Sequence, residues 1–346
     1  MTYLVTGGCG FVGSNIAAQL IERGARPVVF DNMSREGAAA NLEWLHSLGP
    51  LEFIRGDMSE AGEVLNLLEK TKPDVVFHLA GQVAMTTSMR EPRRDFSTNV
   101  LGSFNLLESV RQATPSATVV YSSSNKVYGE LATVELKEEQ SRYATVNFPN
   151  GIDEGAPLDF QTPYGCSKGA ADQYMLDYAR VFGLNTVVFR HSTIFGGRQF
   201  STFDQGWVGW FCRQALETQR HPGRDPFTIS GDGKQVRDLL FVDDCVACYF
   251  AAAEKIKEVR GQAFNIGGGI ANSSSLLELF ELLEGELKVK LKYSRLPWRH
   301  SDQKFFVADN GKAQSMLGWK PVIAKRDGIL KTLSWARQSL SAETTT

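Results

Sequence analysis

The fold is decided by a stretch near the start of the chain, Thr2-Tyr3-Leu4-Val5-Thr6-Gly7-Gly8-Cys9-Gly10-Phe11-Val12-Gly13. A short apolar strand runs into a glycine turn, and an apolar helical pattern follows. Glycines let the backbone approach a pyrophosphate, and the N-terminus of a helix favours negative charge. The spacing is Gly-x-x-Gly-x-x-Gly, and its position at the first strand-to-helix turn predicts a dinucleotide site. The predicted contacts are Gly7, Gly10, Phe11, Val12 and Gly13.

The same alternation of strand and helix continues through the first half of the chain. Short apolar runs predict strands at 2–6, 27–31, 51–55, 75–79, 118–123 and 186–190. Helical patterns separate them at 13–23, 59–70, 93–112 and 164–182. The runs lack polar alternation, which is typical of strands buried on both faces. We therefore predict an α/β fold with a doubly wound parallel sheet of the Rossmann type.

The second half predicts a smaller α/β region that binds the substrate. Short strands are expected at 227–229, 237–241, 263–266 and 289–292, and a helix at 275–284. Ser275 and Glu278 form a capping-box pair, and Gly285 is expected to end that helix. We predict a cofactor-binding part at 1–190 and a substrate-binding part at 191–340, whose segments can interleave. The tail after Trp335 is expected to be frayed.

Composition excludes several classes of protein. The chain has 346 residues, 42% hydrophobic and 22% charged, with a net charge of −2, so no nucleic-acid-binding surface is indicated. It has no apolar run near the ~18 residues of a membrane span. The first strand leaves no room for a signal peptide, so we expect a cytoplasmic location. Cys245 and Cys248 match the spacing of a redox or zinc pair, but their apolar helical context favours two buried thiols. No metal site is predicted.

Acidic residues follow the second and third strands. Asp31 and the adjoining Asn32 are positioned for the adenosine ribose, where a carboxylate favours NAD over NADP. Arg35 is a contrary feature, because arginine can accommodate a 2′-phosphate. Asp57, followed by Met58, can reach the adenine or simply cap the next helix, and both interpretations stay open.

A catalytic pattern follows the fifth strand. Tyr164 and Lys168 are four residues apart, which places them on one face of a helix. A free phenol has a pKa near ~10. A nearby ammonium group and a positively charged nicotinamide would favour its ionised form. The hydroxyl of Ser124 can hold the oxygen that Tyr164 deprotonates.

These motifs, with His78-Leu79-Ala80-Gly81, Asn99 and Arg237-Asp238, resemble the nucleotide-sugar epimerases and dehydratases of the extended short-chain dehydrogenase/reductase type. The resemblance covers nearly the whole chain. It implies tightly bound NAD and a catalytic triad of Ser124, Tyr164 and Lys168. It also implies cofactor contacts at Leu79, Ala80, Gln82, Asn99, Tyr164, Lys168 and His191, although a structural role for His191 is an equal alternative.

Within that family the chain is most similar to enzymes that invert C2 of a CDP-hexose through a transient ketone. The segments that carry this likeness are 78–88, 124–129, 163–180, 196–200 and 204–211. The alternatives are a 4-epimerase, a 4,6-dehydratase and a non-catalytic NAD-sensing protein. A dehydratase resembles the chain less, because that chemistry uses two carboxyl groups where this chain has Asn125 and Lys126. Retention of the whole triad argues against a non-catalytic protein.

The substrate of such an enzyme carries a diphosphate, which arginine binds through paired hydrogen bonds. Arg237 and Arg299 are the candidate ligands, with solvated surface arginines as the alternative. Ser124, Asn125 and Gln205 are further predicted substrate contacts. Trp207 beside Gln205 either shapes the nucleotide pocket or only packs a helix. In the family that the chain resembles, the helices matching 93–112 and 164–182 form the subunit contact, so we expect a homodimer or homotetramer.

Overall fold

The structure is a computed structural model that describes the backbone of residues 1–343 and side chains up to 341. Its strands, numbered along the chain, are β1 Tyr3–Thr6, β2 Val28–Asp31, β3 Glu52–Arg55, β4 Val75–His78, β5 Thr118–Ser122, β6 Leu136–Glu138, β7 Tyr143–Thr145, β8 Asn185–His191, β9 Thr193–Phe195, β10 Phe227–Ser230, β11 Val236–Phe241, β12 Gln262–Ile266, β13 Ser273–Ser275, β14 Tyr293–Leu296 and β15 Phe305–Phe306.

The α-helices are α1 Phe11–Glu22, α2 Ala38–Leu48, α3 Ala61–Thr71, α4 Met85–Arg90, α5 Pro92–Phe96, α6 Gly102–Ala113, α7 Thr162–Phe182, α8 Trp207–Arg220, α9 Val242–Glu254, α10 Ile256–Val259, α11 Leu276–Leu287, α12 Gly311–Leu317 and α13 Lys325–Glu343. A π-helical turn at Ser97–Leu101 joins α5 to α6, and a 3₁₀ helix at Asn125–Tyr128 follows β5. No helix within residues 1–343 is both long and apolar enough to cross a membrane.

Seven strands form one parallel sheet in the order β12-β8-β5-β4-β1-β2-β3. Neighbouring residues of one strand belong to different cores: Leu4 packs with Val76 and Val119 on one face, and Val5 packs with Phe77 and Val120 on the other. Both faces of the sheet are therefore buried, which explains the missing polar alternation. The predicted doubly wound parallel fold is confirmed.

The second half of the chain does not form a wholly separate layer. Strand β12 returns to the main sheet beside β8, so the chain segments interleave. The remaining strands build small sheets around β11, which pairs with β9, β13 and β15, and a β10–β14 pair. The division at residue 190 remains our proposal for cofactor-binding and substrate-binding parts.

Two predictions about helix ends are wrong. Ser275 and Glu278 do form the capping box of α11, but that helix passes through Gly285 to Leu287 and stops at Lys288, which adopts a positive φ. Side chains on that side of α11 are buried in the larger core, so packing carries the helix past its glycine. The tail that was expected to fray after Trp335 is helical up to Glu343; the last three residues, 344–346, lie outside the described residues.

Candidate active site

The predicted site residues of the first half lie at the carboxyl ends of the parallel strands. Strand β1 lies between β4 and β2, so the strand order reverses there, and ligands of doubly wound folds bind in the crevice at such a point. The glycine turn follows β1, Asp31 ends β2, and Ser124 lies just beyond β5. The sheet therefore brings together groups that are more than 100 residues apart in sequence.

The glycine turn fits a dinucleotide. A Cβ atom at Gly13 would lie 2.2 Å from the Gly7 carbonyl oxygen, and one at Gly7 would lie 2.6 Å from the Ala80 nitrogen. Helix α1 begins after Gly10 without any side-chain cap, so its first N–H groups remain open to an anion. Side chains at these positions would clash with the backbone of the turn itself, so glycine is required for helix α1 to pack this closely against β1 and β4. We propose that the residues that hold the cofactor here are Gly7, Gly10, Phe11, Val12 and Gly13.

Asp31 and Asp57 are held in place by neighbouring hydrogen bonds. Asp31 accepts from the Cys9 N–H at 3.0 Å and from the Met33 N–H at 2.8 Å, which aims its carboxylate at the mouth of the glycine turn. Asn32 Nδ2 donates to Asp57 Oδ2 at 2.8 Å. The carboxylate of Asp57 does not cap α3, whose N-cap residue is Glu60, so the capping interpretation is wrong. An adenine contact by Asp57 remains our proposal.

The other residues of the predicted adenosine end lie nearby. Met58 packs its side chain into the core beneath α6, and its carbonyl accepts from Asn105 at 2.9 Å. Arg35 has an exposed side chain. The cofactor contact of Met58 is therefore proposed for its main chain.

Asn99 lies on the π-helical turn and links the loop after β4 to α7. Its Oδ1 accepts from the Gln82 N–H at 2.8 Å, and its Nδ2 donates to the Gln82 carbonyl at 3.0 Å and to Ser167 Oγ at 3.0 Å. The Gln82 side chain donates in turn to Asp95 at 2.9 Å. A π-helical turn often marks a functional site, because it turns one side chain out of the regular helical register. The loop that contains Leu79, Ala80 and Gln82 is fixed by this network.

The triad residues are buried together. Tyr164 and Lys168 lie on the first turns of α7, and the exposed fractions of Ser124, Tyr164 and Lys168 are 6%, 9% and 4%. The main-chain N–H of Tyr164 donates to Ser88 Oγ at 3.2 Å, which anchors the start of α7. Lys168 Nζ donates to the Ser122 carbonyl at the end of β5. This hydrogen bond links the end of β5 to helix α7 beside the predicted triad.

The protein alone does not supply the lowered phenol pKa that the sequence predicts. Burial raises the pKa of Tyr164 to about 12, although a hydrogen bond with Ser124 lowers it and Asp95 raises it further. Burial lowers the pKa of Lys168 to about 8, against the opposing charges of Asp95 and Asp172. Lys168 therefore keeps most of its charge at neutral pH, and further positive charge is needed before Tyr164 can ionise.

His191 ends β8 with both ring nitrogens occupied. Nε2 lies 2.8 Å from the Tyr249 hydroxyl and Nδ1 lies 3.3 Å from Ser122 Oγ. Burial lowers the pKa of His191 to about 3, so the ring is neutral. These contacts account for the side chain structurally, and a cofactor contact by His191 remains a prediction.

A cavity of about 290 Å³ opens beside the triad and contains the predicted substrate residues. Ser124, Asn125, Tyr164, Gln205, Arg237 and Arg299 all line it. Arg299 Nε lies 3.3 Å from Ser230 Oγ, and its Nη2 lies 3.2 Å from the Phe203 carbonyl. Trp207 also lines the cavity and donates to Thr193 Oγ1 at 3.0 Å, so it both shapes the wall and is anchored there.

Several buried polar atoms of this cavity have no protein partner. They are Gln205 Oε1, Gln235 Oε1 and Trp210 Nε1. Buried donors and acceptors are normally hydrogen-bonded, because leaving one unpaired is costly. These atoms are available to hydrogen-bond a polar ligand in the cavity.

The sequence predicted no substrate contact for two charged residues that also line this cavity, Lys126 and Asp302. Lys126 Nζ lies 3.3 Å from Asp302 Oδ1, and Arg237 Nη2 lies 2.9 Å from the same oxygen. Lys126 adjoins the predicted contact Asn125, and Asp302 follows Arg299 by three residues, so their proximity to the quoted motifs was an available signal. Asn125 itself donates to Gln303 Oε1 at 2.7 Å, which joins the 3₁₀ helix to the segment before β15.

The cysteine pair has no part in this site. Cys245 and Cys248 are buried on α9 as free thiols, which confirms the structural interpretation. Burial raises the pKa of both thiols. Within residues 1–343, no group of three or more His, Cys, Asp and Glu side chains lies together in a way that could hold a metal ion.

The parallel sheet, the glycine turn and the buried Ser-Tyr-Lys set define an extended short-chain dehydrogenase/reductase. A model of the NAD dependent epimerase/dehydratase family matches residues 3–267, and the chain belongs to that family. It is an enzyme whose cofactor is NAD. The chain is 55% identical to a CDP-paratose 2-epimerase from Salmonella typhi, over 97% of this chain and 99% of that protein.

Solved structures of relatives have the same architecture. A UDP-glucose 4-epimerase from Thermotoga maritima, solved with UDP-glucose, has a TM-score of 0.83 and 29% identity, covering 98% of this chain and 100% of that one. A UDP-glucose 4-epimerase from Thermus thermophilus in complex with NAD has a TM-score of 0.80 and 27% identity, covering 97% and 99%. The family assignment from the sequence is thus confirmed.

Proposed function

We propose that this enzyme inverts C2 of a CDP-hexose of the paratose/tyvelose type. The observation that carries this proposal is the 55% identity to a CDP-paratose 2-epimerase along almost the full length of both chains. The cavity beside the triad supports it, because cationic arginines and unpaired polar atoms surround space for a polar anionic ligand. The substrate-binding role of Arg237, Arg299, Gln205 and Asn125 is part of this proposal.

The reaction needs one acid–base residue. As a phenolate, which the positive charges of Lys168 and of a bound nicotinamide would favour, Tyr164 takes the proton of the C2 hydroxyl while Ser124 holds its oxygen. NAD, which the glycine turn and Asp31 would hold, would supply the hydride chemistry at C2. After the 2-keto sugar turns its other face, Tyr164 gives the proton back to the oxygen. Tyr164 therefore transfers the proton in both halves of the reaction. Asn125 and Lys126 stand where dehydration would need a pair of carboxyl groups.

Substrate deuterated at C2 tests the proposal. The protein should convert CDP-paratose to its C2 epimer with the label retained at C2, as followed by NMR. Inversion at C4 with C2 unchanged would replace the 2-epimerase by a 4-epimerase. Failure to convert any CDP-, UDP-, GDP- or dTDP-sugar by protein that retains NAD would favour the non-catalytic alternative. A cytoplasmic location remains a prediction.

We also propose a homo-oligomer. Phe104, Tyr174 and Phe182 are partly exposed on α6 and α7, and their rings join through Tyr178 into one aromatic cluster across the two helices. Exposed contiguous apolar surface of this kind typically marks a protein interface. Light scattering should show a dimer or larger assembly that Phe104→Glu with Tyr174→Glu dissociates. The exposed Val322→Glu is the control and should leave the mass unchanged.

A further inference from the structure

Lys126 is a cation of the substrate cavity that belongs to the catalytic element itself. It lies on the 3₁₀ helix capped by Ser124, whose Oγ accepts from the Lys126 N–H at 3.2 Å. The Lys126 side chain is only 16% exposed and lines the same cavity as Tyr164. Its ammonium group is 3.3 Å from the Ser301 carbonyl and 3.3 Å from Asp302. Burying a lysine is costly, and this one lines the cavity that also contains Tyr164.

One carboxylate oxygen holds two cations from different parts of the chain. Asp302 Oδ1 pairs with Lys126 at 3.3 Å and with Arg237 at 2.9 Å. Burial would raise the pKa of Asp302, but Lys126, Arg237 and Arg299 together lower it, so the carboxylate is charged. Asp302 therefore fixes the distance between an ammonium group of the catalytic element and a guanidinium group of β11.

Positive charge in the cavity exceeds the negative charge present. Lys126, Arg237 and Arg299 line it, against the carboxylates of Asp302 and Asp204. Burial lowers the pKa of Lys126, with Arg237 and Arg299 acting in the same direction and Asp302 opposing them. An additional anion in the cavity would relieve this repulsion. A diphosphate, which needs several cations at once, matches this arrangement.

We propose that Lys126 binds the β-phosphate of the nucleotide sugar, and that Asp302 is a positioning residue that sets Lys126 and Arg237 around that phosphate. The inference rests on the proposed function only in taking a nucleoside-diphosphate sugar as substrate. The β-phosphate is the phosphate bonded to the sugar. The main-chain N–H of Lys126 is hydrogen-bonded to Ser124, the residue proposed to hold the sugar oxygen. Lys126 thereby fixes the spacing between the diphosphate and the hydroxyl that Tyr164 deprotonates.

Calorimetry of the NAD-loaded protein with CDP and with CMP tests the role of Lys126. Lys126→Met should weaken CDP binding by at least about tenfold, as expected for loss of a charged hydrogen bond, and CMP binding by much less. Lys126→Arg should recover part of the loss. Lys304→Met, an exposed lysine of the neighbouring segment, is the control and should change neither affinity. Equal losses for CDP and CMP, or no loss for either, would overturn the proposal.

Asp302→Asn distinguishes positioning from simple charge. If Asp302 acts only by electrostatic repulsion of the phosphate, removing its negative charge should strengthen the binding of CDP. If Asp302 positions Lys126 and Arg237, CDP binding should weaken instead, and the KM for the CDP-sugar should rise more than kcat falls. Tighter CDP binding by Asp302→Asn would refute the positioning role. Should the unaltered protein bind UDP and not CDP, the proposed base is wrong, and the same variants measured with UDP and UMP still decide the role of Lys126.

Discussion

Asn99 and Gln82 form a reciprocal pair of hydrogen bonds between the side-chain amide of one and the main-chain amide of the other. The Gln82 N–H donates to Asn99 Oδ1 at 2.8 Å, and Asn99 Nδ2 donates to the Gln82 carbonyl at 3.0 Å. The same Nδ2 reaches Ser167 on α7 at 3.0 Å. The loop after β4 and the catalytic helix are therefore held at a fixed separation by one buried side chain.

Asn99→Asp should disrupt this connection. The new carboxylate oxygen would face the Gln82 carbonyl and lie beside Asp95, and an unpaired buried group costs roughly 1–3 kcal/mol. We expect lower stability in urea unfolding and less NAD per chain after purification. Asn265→Asp, which removes a buried hydrogen bond to the Ile152 carbonyl outside the proposed cofactor contacts, is the matched control. It should lower stability but reduce the NAD content less, so equal NAD losses would contradict the proposed role of Asn99.

Tyr164→Phe should retain the fold and the cofactor but lose most of the activity. Positioned proton transfer contributes roughly 10² to 10⁴ in rate. Turnover of the CDP-sugar and the ratio of NAD to protein are the two measurements. Tyr174→Phe removes a hydroxyl from an exposed tyrosine of the same helix and should leave turnover unchanged. Near-native turnover by Tyr164→Phe would remove Tyr164 from the mechanism.

The positions in the fold that were predicted correctly share a physical reason. Buried parallel strands leave continuous apolar runs, and the glycine turn, Asp31 and Ser124 lie at or just beyond the ends of such strands, so their positions could be read from the sequence. The pairing of Lys126 with Asp302 could not, because 176 residues separate them and their contact depends on how the segment before β15 folds back. The burial of Tyr164 and Lys168 depends equally on tertiary packing, which is why the sequence predicted a lowered pKa for Tyr164 where burial raises it.

Ser124→Thr should preserve activity, whereas Ser124→Ala should not. Ser124 has φ −151° and ψ 152°, an extended conformation that suits a β-branched residue, and threonine retains the hydroxyl. Alanine removes both the substrate contact and the cap on the Lys126 N–H, and loss of a cap costs about 1 kcal/mol. We expect a fall in kcat of about 10²-fold for alanine, as for loss of a comparable transition-state hydrogen bond. Similar kcat values for the two variants would exclude the hydroxyl from the reaction.

Arg237→Ala and Arg299→Ala should each raise the KM for the CDP-sugar by at least about tenfold. A hydrogen bond to a charged group contributes roughly 1.5–3 kcal/mol, which corresponds to that change in affinity. Arg295→Ala, on an exposed position of β14, controls for general loss of positive charge. An unchanged KM in both cavity variants would show that the diphosphate binds elsewhere.

Lys168→Met should change the pH dependence of stability. The pKa of Lys168 is lowered from 10.5 to about 8 in the folded protein, chiefly by burial. Below pH 8 the group is protonated in both folded and unfolded states, and the native state bears the full cost of burying the charge. Between pH 8 and 10.5 the folded state releases its proton first, so this cost disappears as the pH rises. Lys168→Met lacks that gain. Its stability relative to the unaltered protein should therefore be greatest below pH 8 and fall by about 3 kcal/mol by pH 10.5, at about 1.4 kcal/mol for each pKa unit.

Urea unfolding at a series of pH values measures the difference directly, and the Lys137→Met variant, at an exposed position, should give a difference that does not vary with pH. A constant difference for Lys168→Met as well would mean that Lys168 is not a buried cation in the folded enzyme.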